Sequence, residues 1–291
     1  MKSSTLLTGA TGLLGSALAP RLALAGVDII THGSSLPADI NADLRCRETT
    51  FATLDHVMPS AIVNLVAVTN VDGCEDWPQD AYLLNVRAVE NIAAWVTRHP
   101  QTRLIQISTD HLYDGPGFNR EDEISLLNIY AYSKYCAEIV ASSANATILR
   151  TNFFGQVGLT QKTFVDLLVA GLRGASTVRL VTDVLFSPLH VNTLCEMIRH
   201  VLERPVAGTF NLGSHGGMSK CEFGWQVARH LGLNADVIRP VEMAELGLKA
   251  RRPKNMRMDV SLFETTYEVK LPELKREILL LEKDYGLQTE R

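Results

Sequence analysis

A glycine-rich segment follows the first apolar run and constrains the fold more than any other feature of the chain. It reads TLLTGATGLLG, so Gly9, Gly12 and Gly15 stand between a predicted first strand and a predicted first helix. Glycines at such a turn let the backbone approach a pyrophosphate, with the first N–H groups of the helix facing the phosphates. The segment therefore predicts a dinucleotide-binding loop. The alternative interpretation is an ordinary glycine-rich turn. The predicted loop contacts are Gly9, Thr11, Gly12, Leu13, Leu14 and Gly15.

The rest of the first half alternates short aliphatic runs with amphipathic stretches. This alternation is typical of βαβ units, and it predicts an α/β fold, a doubly wound parallel-sheet Rossmann domain. The predicted strands are Thr5–Thr8, Val27–His32, Ala61–Val66, Arg103–Ser108 and Thr147–Thr151. The predicted helices are Gly12–Ala25, Asp76–Arg98 and Ile129–Ser143.

After Thr151 the pattern loosens, which predicts a smaller mixed α/β lobe that holds the substrate. We expect residues 1–151 to form the dinucleotide-binding domain, with a return segment near 184–212, and residues 152–183 and 213–291 to form the lobe. The predicted helices after Thr151 are Thr163–Leu172, Val191–Leu202, Lys220–Leu231 and Glu273–Tyr285, and the predicted strands there are Val178–Val181 and Thr209–Leu212.

Composition excludes several classes of function. A net charge of −4 over 291 residues, with Lys and Arg spread out, argues against a nucleic-acid partner. No segment approaches the roughly 20 apolar residues of a membrane span. The histidines show no metal-ligand spacing, so we expect no metal. The five cysteines, an odd and widely spaced set, predict reduced thiols in a cytoplasmic protein: Cys46, Cys74, Cys136, Cys195 and Cys221.

The residues after the second strand bear on the choice of nicotinamide cofactor. NAD sites usually place an acid there to hold the ribose hydroxyls. Here the stretch reads IITHGSS, and His32 and Ser34 offer an imidazole and a hydroxyl but no carboxylate. A 2′-phosphate would meet no repulsion, so the sequence favours NADPH, with NADH as the alternative.

The segment NIYAYSKYCAE carries the predicted chemistry. Tyr130 and Lys134 lie four residues apart on a predicted helix and so share one face. A nearby ammonium should lower the pKa of the phenol, which could then pass a proton to a developing alkoxide. Upstream, Thr109 ends the fourth predicted strand, and we choose it over Ser108 to hold a substrate carbonyl because side chains alternate along a strand. A solvated helix face and a capped strand-end turn are the alternatives.

Together these motifs resemble the dTDP-4-dehydrorhamnose reductase family, within the extended short-chain dehydrogenases. The resemblance covers nearly the whole chain and rests on GATGLLG, STDHLYDG, YAYSK, NLVAVTNVDGCE at 64–75, ILRTNFFG at 148–155 and ARRPKNMRMD at 250–259. It implies reduction of the 4-keto group of a nucleotide-activated 6-deoxyhexose by hydride from NADPH or NADH. It implies a catalytic trio of Thr109, Tyr130 and Lys134, with both Tyr130 and Lys134 also contacting the cofactor.

The resemblance also implies further binding residues. Beside the adenine and the rest of the cofactor it implies Asp43, Leu44, Leu65, Val66 and Ala67. Around the sugar it implies Thr69, Val71, Asp110, Asn152 and Phe153. The family typically has RTSW where this chain has RTNF, so the aromatic wall against the sugar is smaller here.

Two alternative functions stay open. One is a nucleotide-sugar epimerase that keeps NAD bound. The other is a non-catalytic NADP-binding regulatory subunit, by resemblance to the methionine adenosyltransferase beta subunit, although such a protein has no need of the catalytic trio. A homodimer is a further expectation from the resemblance, because family members often pair through helices.

Overall fold

The structure, a computed structural model, describes residues 4–157, 162–174 and 176–286. Its strands are β1 (Thr5–Thr8), β2 (Ile29–Gly33), β3 (Ile40–Asn41), β4 (Ala61–Asn64), β5 (Arg103–Thr109), β6 (Thr147–Thr151), β7 (Phe153–Phe154), β8 (Val178–Val181), β9 (Leu185–Phe186), β10 (Leu189–His190), β11 (Gly208–Leu212), β12 (Met218–Ser219) and β13 (Ile238–Val241). Its α-helices are α1 (Leu13–Leu24), α2 (Arg47–Val57), α3 (Val71–Asp76), α4 (Pro78–Tyr82), α5 (Ala88–Arg98), α6 (Ile129–Ser142), α7 (Phe164–Arg173), α8 (Val191–Glu203), α9 (Lys220–His230), α10 (Ser261–Tyr267), α11 (Leu274–Leu279) and α12 (Leu281–Tyr285).

A seven-stranded parallel sheet forms the centre, in the order β11-β6-β5-β4-β1-β2-β3. Every residue of β1, β4 and β6 is buried, as expected for strands covered by helices on both faces. The predicted doubly wound α/β fold is therefore confirmed. The chain leaves β1 toward β2 on one side and reaches β4 on the other, so the strand order reverses between β1 and β4. Ligands of open α/β sheets bind at such a reversal.

The helix predicted over Asp76–Arg98 is wrong as a single element. The chain forms α3, α4, a π-helical turn over Leu83–Arg87, and α5. Pro78 is the first residue of α4, a position where its missing N–H is tolerated. A helix that ran through this position without a break would lack that N–H, so the chain starts a new helix here. Within the π turn, the side chain of Asn85 accepts a hydrogen bond from the N–H of Val68 at 2.7 Å and donates one to Ser133 Oγ at 2.8 Å. The interruption thus ties the loop after β4 to α6.

Within the described residues, the sheet and its flanking helices, including α1 and α8, form a first core that consists of two separate hydrophobic clusters, and β11 returns to pair with β6. A second core lies among α7, α9, α11 and α12, around Phe223, whose ring contacts Phe154 and Phe186 at centroid distances of 5.0 and 5.3 Å. The single helix predicted over Glu273–Tyr285 is instead two short helices, α11 and α12, because Leu280 interrupts it.

None of the helices in the described ranges has the length and apolar character that crossing a membrane requires.

Candidate active site

The glycine loop lies at the reversal point of the sheet. Gly9 has a φ of +69°, and a Cβ added there would lie 3.1 Å from both Leu65 C and Val66 N. Gly15 leaves no room for a side chain against Ala10 of the preceding turn, since an added Cβ would come within 2.5 Å of Ala10 Cα. Gly12 precedes α1 and has no side chain that could cap its first N–H groups, which stay available to a phosphate.

A pocket opens beside this loop, and we call it the glycine-loop pocket. It brings together most of the residues predicted to contact a dinucleotide: Gly9, Thr11, Gly12, His32, Ser34, Asp43, Leu44, Leu65, Val66 and Ala67. The predicted contacts Leu13, Leu14, Gly15, Tyr130 and Lys134 do not line it, and Leu14 is buried in a hydrophobic cluster beside the sheet. The sequence analysis missed Ala42, Arg45, Leu84 and Ala88, which complete the lining.

Charges at the far end of this pocket are arranged around Arg45. Arg45 forms a salt bridge with Asp43 at 2.8 Å, and its side-chain hydrogen bond lowers the pKa of Asp43. Asp39 is a carboxylate that the sequence reading of this region overlooked. It accepts hydrogen bonds from Thr31 N and Thr31 Oγ1 at 2.8 and 2.7 Å and does not line the pocket. Burial lowers the pKa of His32, so its ring is neutral and bonds the carbonyl of Ala42 at 3.0 Å.

The structure brings Thr109 and Tyr130 together. Thr109 is the last residue of β5, and Tyr130 lies in the first turn of α6, whose N-terminus is capped by the side chain of Asn128. The hydroxyl group of Thr109 lies near that of Tyr130 and acts to lower the pKa of Tyr130. Ser108 instead donates to Glu138 and does not contact Tyr130.

Lys134 is buried one turn beyond Tyr130 in α6, with 4% of its surface exposed. Its Nζ donates to the carbonyl oxygen of Ile107 at 2.8 Å, so the ammonium is held against β5. Burial lowers the pKa of Lys134 to about 8, against an opposing effect of the Glu138 charge.

The prediction that the pKa of Tyr130 is lowered is wrong when the groups of the protein itself are considered. Burial raises it to about 12, and the charges of Asp110 and Cys74 add to that rise, whereas the nearby hydroxyl of Thr109 opposes it. Desolvation disfavours the phenolate, and the bond from Lys134 goes to a backbone carbonyl. Tyr130 is therefore held as a neutral phenol at neutral pH.

Some of the residues predicted to bind the sugar lie beside Thr109 or Tyr130, and others pack against hydrophobic clusters or are exposed. Asp110 is buried beside Thr109, and its Oδ2 accepts a hydrogen bond from Asn152 Nδ2 at 2.7 Å. Burial raises the pKa of Asp110 to about 6. Val71 packs against the small cluster that includes Tyr130, and Phe153 packs against the main core. Thr69 is exposed on the loop before α3.

A second pocket, which the sequence analysis did not predict, begins next to Tyr130. We call it the distal pocket, and its lining includes His111, Phe164, Arg179, Lys220, Leu248 and Arg252. The ring of His111 stands edge-on to that of Tyr130 at a centroid distance of 5.5 Å. Burial lowers the pKa of His111 to about 3, so this ring is neutral, and its Nδ1 has no hydrogen-bond partner in the described chain. The only sequence signal for this pocket was the ARRP segment, to which no role had been assigned.

Three cationic side chains give the distal pocket its character. Lys220 Nζ lies over the rings of Phe164 and Phe186, at 5.6 and 5.9 Å from their centroids. Arg252 Nη1 lies 3.1 Å from Asp72 Oδ1. Arg179 donates to a backbone carbonyl at the rim. The rest of the lining is largely aliphatic, so the pocket suits a ligand with both an anionic and an apolar part.

Within the described residues, no group of three or more His, Cys, Asp or Glu side chains is placed to hold a metal ion.

A family model described as the RmlD substrate binding domain matches residues 1–285. The chain belongs to this family. The resemblance to dTDP-4-dehydrorhamnose reductases is thereby confirmed. Among curated relatives, the chain is similar to the probable low-salt glycan biosynthesis reductase Agl14 of Haloferax volcanii, with 30% identity over 96% of this chain and 97% of that protein. It is 28% identical to a dTDP-4-dehydrorhamnose reductase of Sinorhizobium fredii, over 91% and 92% of the two chains.

The beta subunit of rat methionine adenosyltransferase 2 is also similar, with 27% identity over 89% of this chain and 81% of that protein. Among solved structures, dTDP-4-dehydrorhamnose reductase from Bacillus anthracis in complex with NADP superposes with a TM-score of 0.89 over 98% of this chain and 100% of that chain, at 24% identity. This structural likeness shows the fold. The predicted class of enzyme, an NAD(P)H-dependent oxidoreductase, is confirmed at the level of the family by the reductase names of the relatives.

Proposed function

We propose that this protein is an NADPH-dependent reductase that acts on the 4-keto group of a nucleotide-activated 6-deoxyhexose. The observation that carries the proposal is the position of Thr109, Tyr130 and Lys134, which the fold buries next to one another at the end of β5 and in α6, in a chain of this family.

Each member of the trio has a role that follows from its contacts. The nicotinamide cofactor supplies the hydride when bound. Tyr130, held as the neutral phenol, donates its proton to the carbonyl oxygen as that oxygen gains negative charge, and the nearby hydroxyl of Thr109 aligns the phenol. The raised pKa keeps the phenol protonated at neutral pH, and the proton transfer is still favourable because an alkoxide is a stronger base than a phenolate. Lys134 provides a buried positive charge beside the forming oxyanion and a donor to the cofactor ribose.

The glycine-loop pocket supports the choice of NADPH. Ser34 and Arg45 are donors in its lining, and the carboxylate of Asp43 is paired with Arg45. Asp39 is engaged by Thr31, so it does not face a 2′-phosphate in the pocket. The 2′-phosphate of NADPH would meet the guanidinium of Arg45, whereas NADH has only a hydroxyl group at that position.

The distal pocket supports a nucleotide-linked substrate. A free sugar carries no charge that would require Arg179, Lys220 and Arg252 around one cavity. A nucleotide sugar brings a diphosphate for these cations and a base for the aliphatic side of the pocket. The sugar would then lie between the distal pocket and Tyr130, with Asp110 and Asn152 available to its hydroxyl groups. We further propose that residues 1–151, with the return segment near 184–212, form the cofactor domain and the remaining residues form the substrate lobe.

The test follows oxidation of NADPH and of NADH with a panel of dTDP-, UDP-, GDP- and CDP-linked 4-keto-6-deoxy sugars. We expect oxidation with one nucleotide class, faster with NADPH, and loss of oxidation in Tyr130→Phe. Tyr132→Phe is the matched control, because Tyr132 lies on the same helix with its side chain exposed.

Two other results would point to different functions. NAD that co-purifies with the protein, together with no net oxidation, would point to an epimerase. NADPH binding without turnover of any sugar would point to a regulatory subunit, the possibility that the likeness to the methionine adenosyltransferase subunit keeps open.

A further inference from the structure

A buried ion pair lies directly behind the proposed catalytic lysine. Glu138 is one turn beyond Lys134 in α6, and Arg150 is in β6. Both side chains are 3% exposed, and Arg150 Nη2 lies 2.6 Å from Glu138 Oε2. Arg150 Nε also donates to both carboxylate oxygens, at 3.0 and 3.1 Å. The pairing is thus bidentate and excluded from water.

The pair is connected to the end of β5 and to the segment that follows it. Ser108, the neighbour of Thr109, donates its hydroxyl hydrogen to Glu138. Arg150 Nη1 donates to Tyr113 Oη at 2.7 Å and to the carbonyl of Glu121 at 2.6 Å. The ion pair therefore joins α6, β5, β6 and the chain after the Thr109 turn at one point.

Stability alone is a weak explanation for this arrangement. Removing two charges from water costs free energy that their attraction often does no more than offset, and well-packed apolar side chains can replace such pairs without loss. The location suggests a different role, because the carboxylate is on the same face of α6 as Lys134 and one turn away. Its negative charge is the one that favours the charged form of that lysine, against burial.

We infer that the Glu138–Arg150 ion pair is a positioning element of the active site, which fixes the Lys134 turn of α6 against the end of β5 and keeps the lysine cationic in its buried place. Glu138 acts through Lys134 and does not touch substrate or cofactor. The inference rests on the proposed function only for its catalytic consequence, since the charge state of Lys134 can be measured without substrate.

Several other charged or titratable groups on elements packed against α6 have partners of their own or are neutral. They include Asp110, bonded to Asn152; His111, a neutral ring; Glu75, which accepts from Ile129 N; Asp72, paired with Arg252; Asp76, paired with Lys249; and Arg87, paired with Glu90. Glu138 is thus the acid in the described structure whose loss should change the titration of Lys134 most.

The experiment measures the titration of Lys134 directly, by NMR of the full-length protein with ¹³C-labelled lysine, the signal being assigned with Lys134→Met. The main variant is the double replacement Glu138→Leu with Arg150→Met, which substitutes apolar side chains for both charges. Glu138→Gln is a second variant, in case the double variant folds poorly. Glu277→Gln is the matched control, because Glu277 is an equally buried carboxylate on α11 that accepts hydrogen bonds from His190 N and Thr193 Oγ1 and does not touch α6.

We expect the titration midpoint of Lys134 to fall by roughly one pH unit in Glu138→Gln, to fall by less in the double variant, which also removes the opposing charge of Arg150, and to stay unchanged in Glu277→Gln. The alkaline limb of the kcat profile should move to lower pH by the same amount, with the KM for the sugar nucleotide unchanged. A folded Glu138 variant with the wild-type midpoint would overturn the inference and leave the pair a structural role only.

The two proposals fail in different ways. If no nucleotide sugar is turned over but the midpoint moves, the proposed function fails and the electrostatic role of Glu138 stands. If turnover is normal and the midpoint does not move, the opposite holds.

Discussion

The glycine-loop pocket and the distal pocket are built in different ways. The first is formed mainly where β1, β2 and β4 end, by short segments near 9–12, 32–45 and 65–67, together with Leu84 and Ala88. The second draws on side chains from His111 to Met256, which are far apart in the chain. A site made by strand ends leaves a local motif in the sequence, whereas a site made by long-range packing leaves scattered residues.

The two regions also treat their carboxylates differently. Asp43 beside the glycine loop is paired with Arg45 near solvent, and the pairing lowers its pKa. Asp110 beside Tyr130 is buried with an amide as its partner, and burial raises its pKa to about 6. The cofactor side is thus arranged to stay charged, and the substrate side holds a carboxyl group near its titration point.

The largest effect should come from the residue between the two pockets. Tyr130→Phe removes the proton donor, so we expect kcat to fall by about a thousandfold. The dissociation constant for NADPH, measured by fluorescence titration, should change little, because the ring remains. Normal turnover at saturating cofactor combined with weak cofactor binding would contradict the assigned role.

Asp110→Asn tests the difference between the pKa values of Asp110 and Asp43, through its effect on the free energy of unfolding. The folded pKa of Asp110 is raised, so its protonated form stabilises the fold at low pH, and that contribution disappears as the pH rises through about 6. Relative to wild type, Asp110→Asn should therefore become more stable between pH 4 and pH 7, by at most about 3 kcal/mol.

Urea unfolding at several pH values measures this difference. Asp43→Asn is the control, since the pKa of Asp43 is lowered from its usual value near 3.8, so its contribution to stability is already complete above about pH 4 and its variant should keep a nearly constant difference from wild type between pH 4 and pH 7. The same trend in both variants would show that the two carboxylates do not differ as described.

Gly9→Ala tests the close backbone approach in the glycine-loop pocket. Its φ of +69° and the 3.1 Å contact of an added Cβ with Leu65 C should displace the segment after β4. We expect NADPH binding to weaken about tenfold, on the scale of such backbone strain. Gly26→Ala is matched in strain, with a φ of +81°, but an added Cβ there meets no atom within 4 Å. If both variants bind NADPH equally well, the loop does not depend on close approach.

Lys220→Met should give the smallest effect and a selective one. Loss of this cation from the distal pocket should raise the KM for the nucleotide sugar about tenfold, as for one charge-assisted contact, and leave NADPH binding intact. Steady-state kinetics with each substrate varied in turn measure this selectivity. Lys270→Met, at an exposed lysine paired with Glu264, should have no effect. A change in NADPH affinity in Lys220→Met would show that the two pockets are not independent.

Much of the fold and part of the candidate site could be predicted from the sequence. The strand over Thr147–Thr151 has the predicted bounds, and Leu13–Leu24 and Ile129–Ser142 lie within one residue of their predicted ends. Hydrophobic periodicity and glycine position are local signals, so they can be recognised in the sequence without knowledge of the tertiary contacts. The interruption at Pro78 had a signal in the sequence that the single-helix prediction did not use. The π-helical turn over Leu83–Arg87 had none, because it involves Asn85 bonding to Val68 and Ser133, which are distant in the chain.

The sequence by itself determined the parallel sheet, the glycine loop and the placement of Thr109, Tyr130 and Lys134 on a strand end and one helix face. Only the tertiary structure decided the raised pKa of Tyr130, the distal pocket around Lys220 and the Glu138–Arg150 pair behind Lys134. Motifs follow from spacing along the chain. Burial and charge pairing depend on which side chains exclude water from one another, and this is settled when the sheet, the helices and the second core pack together.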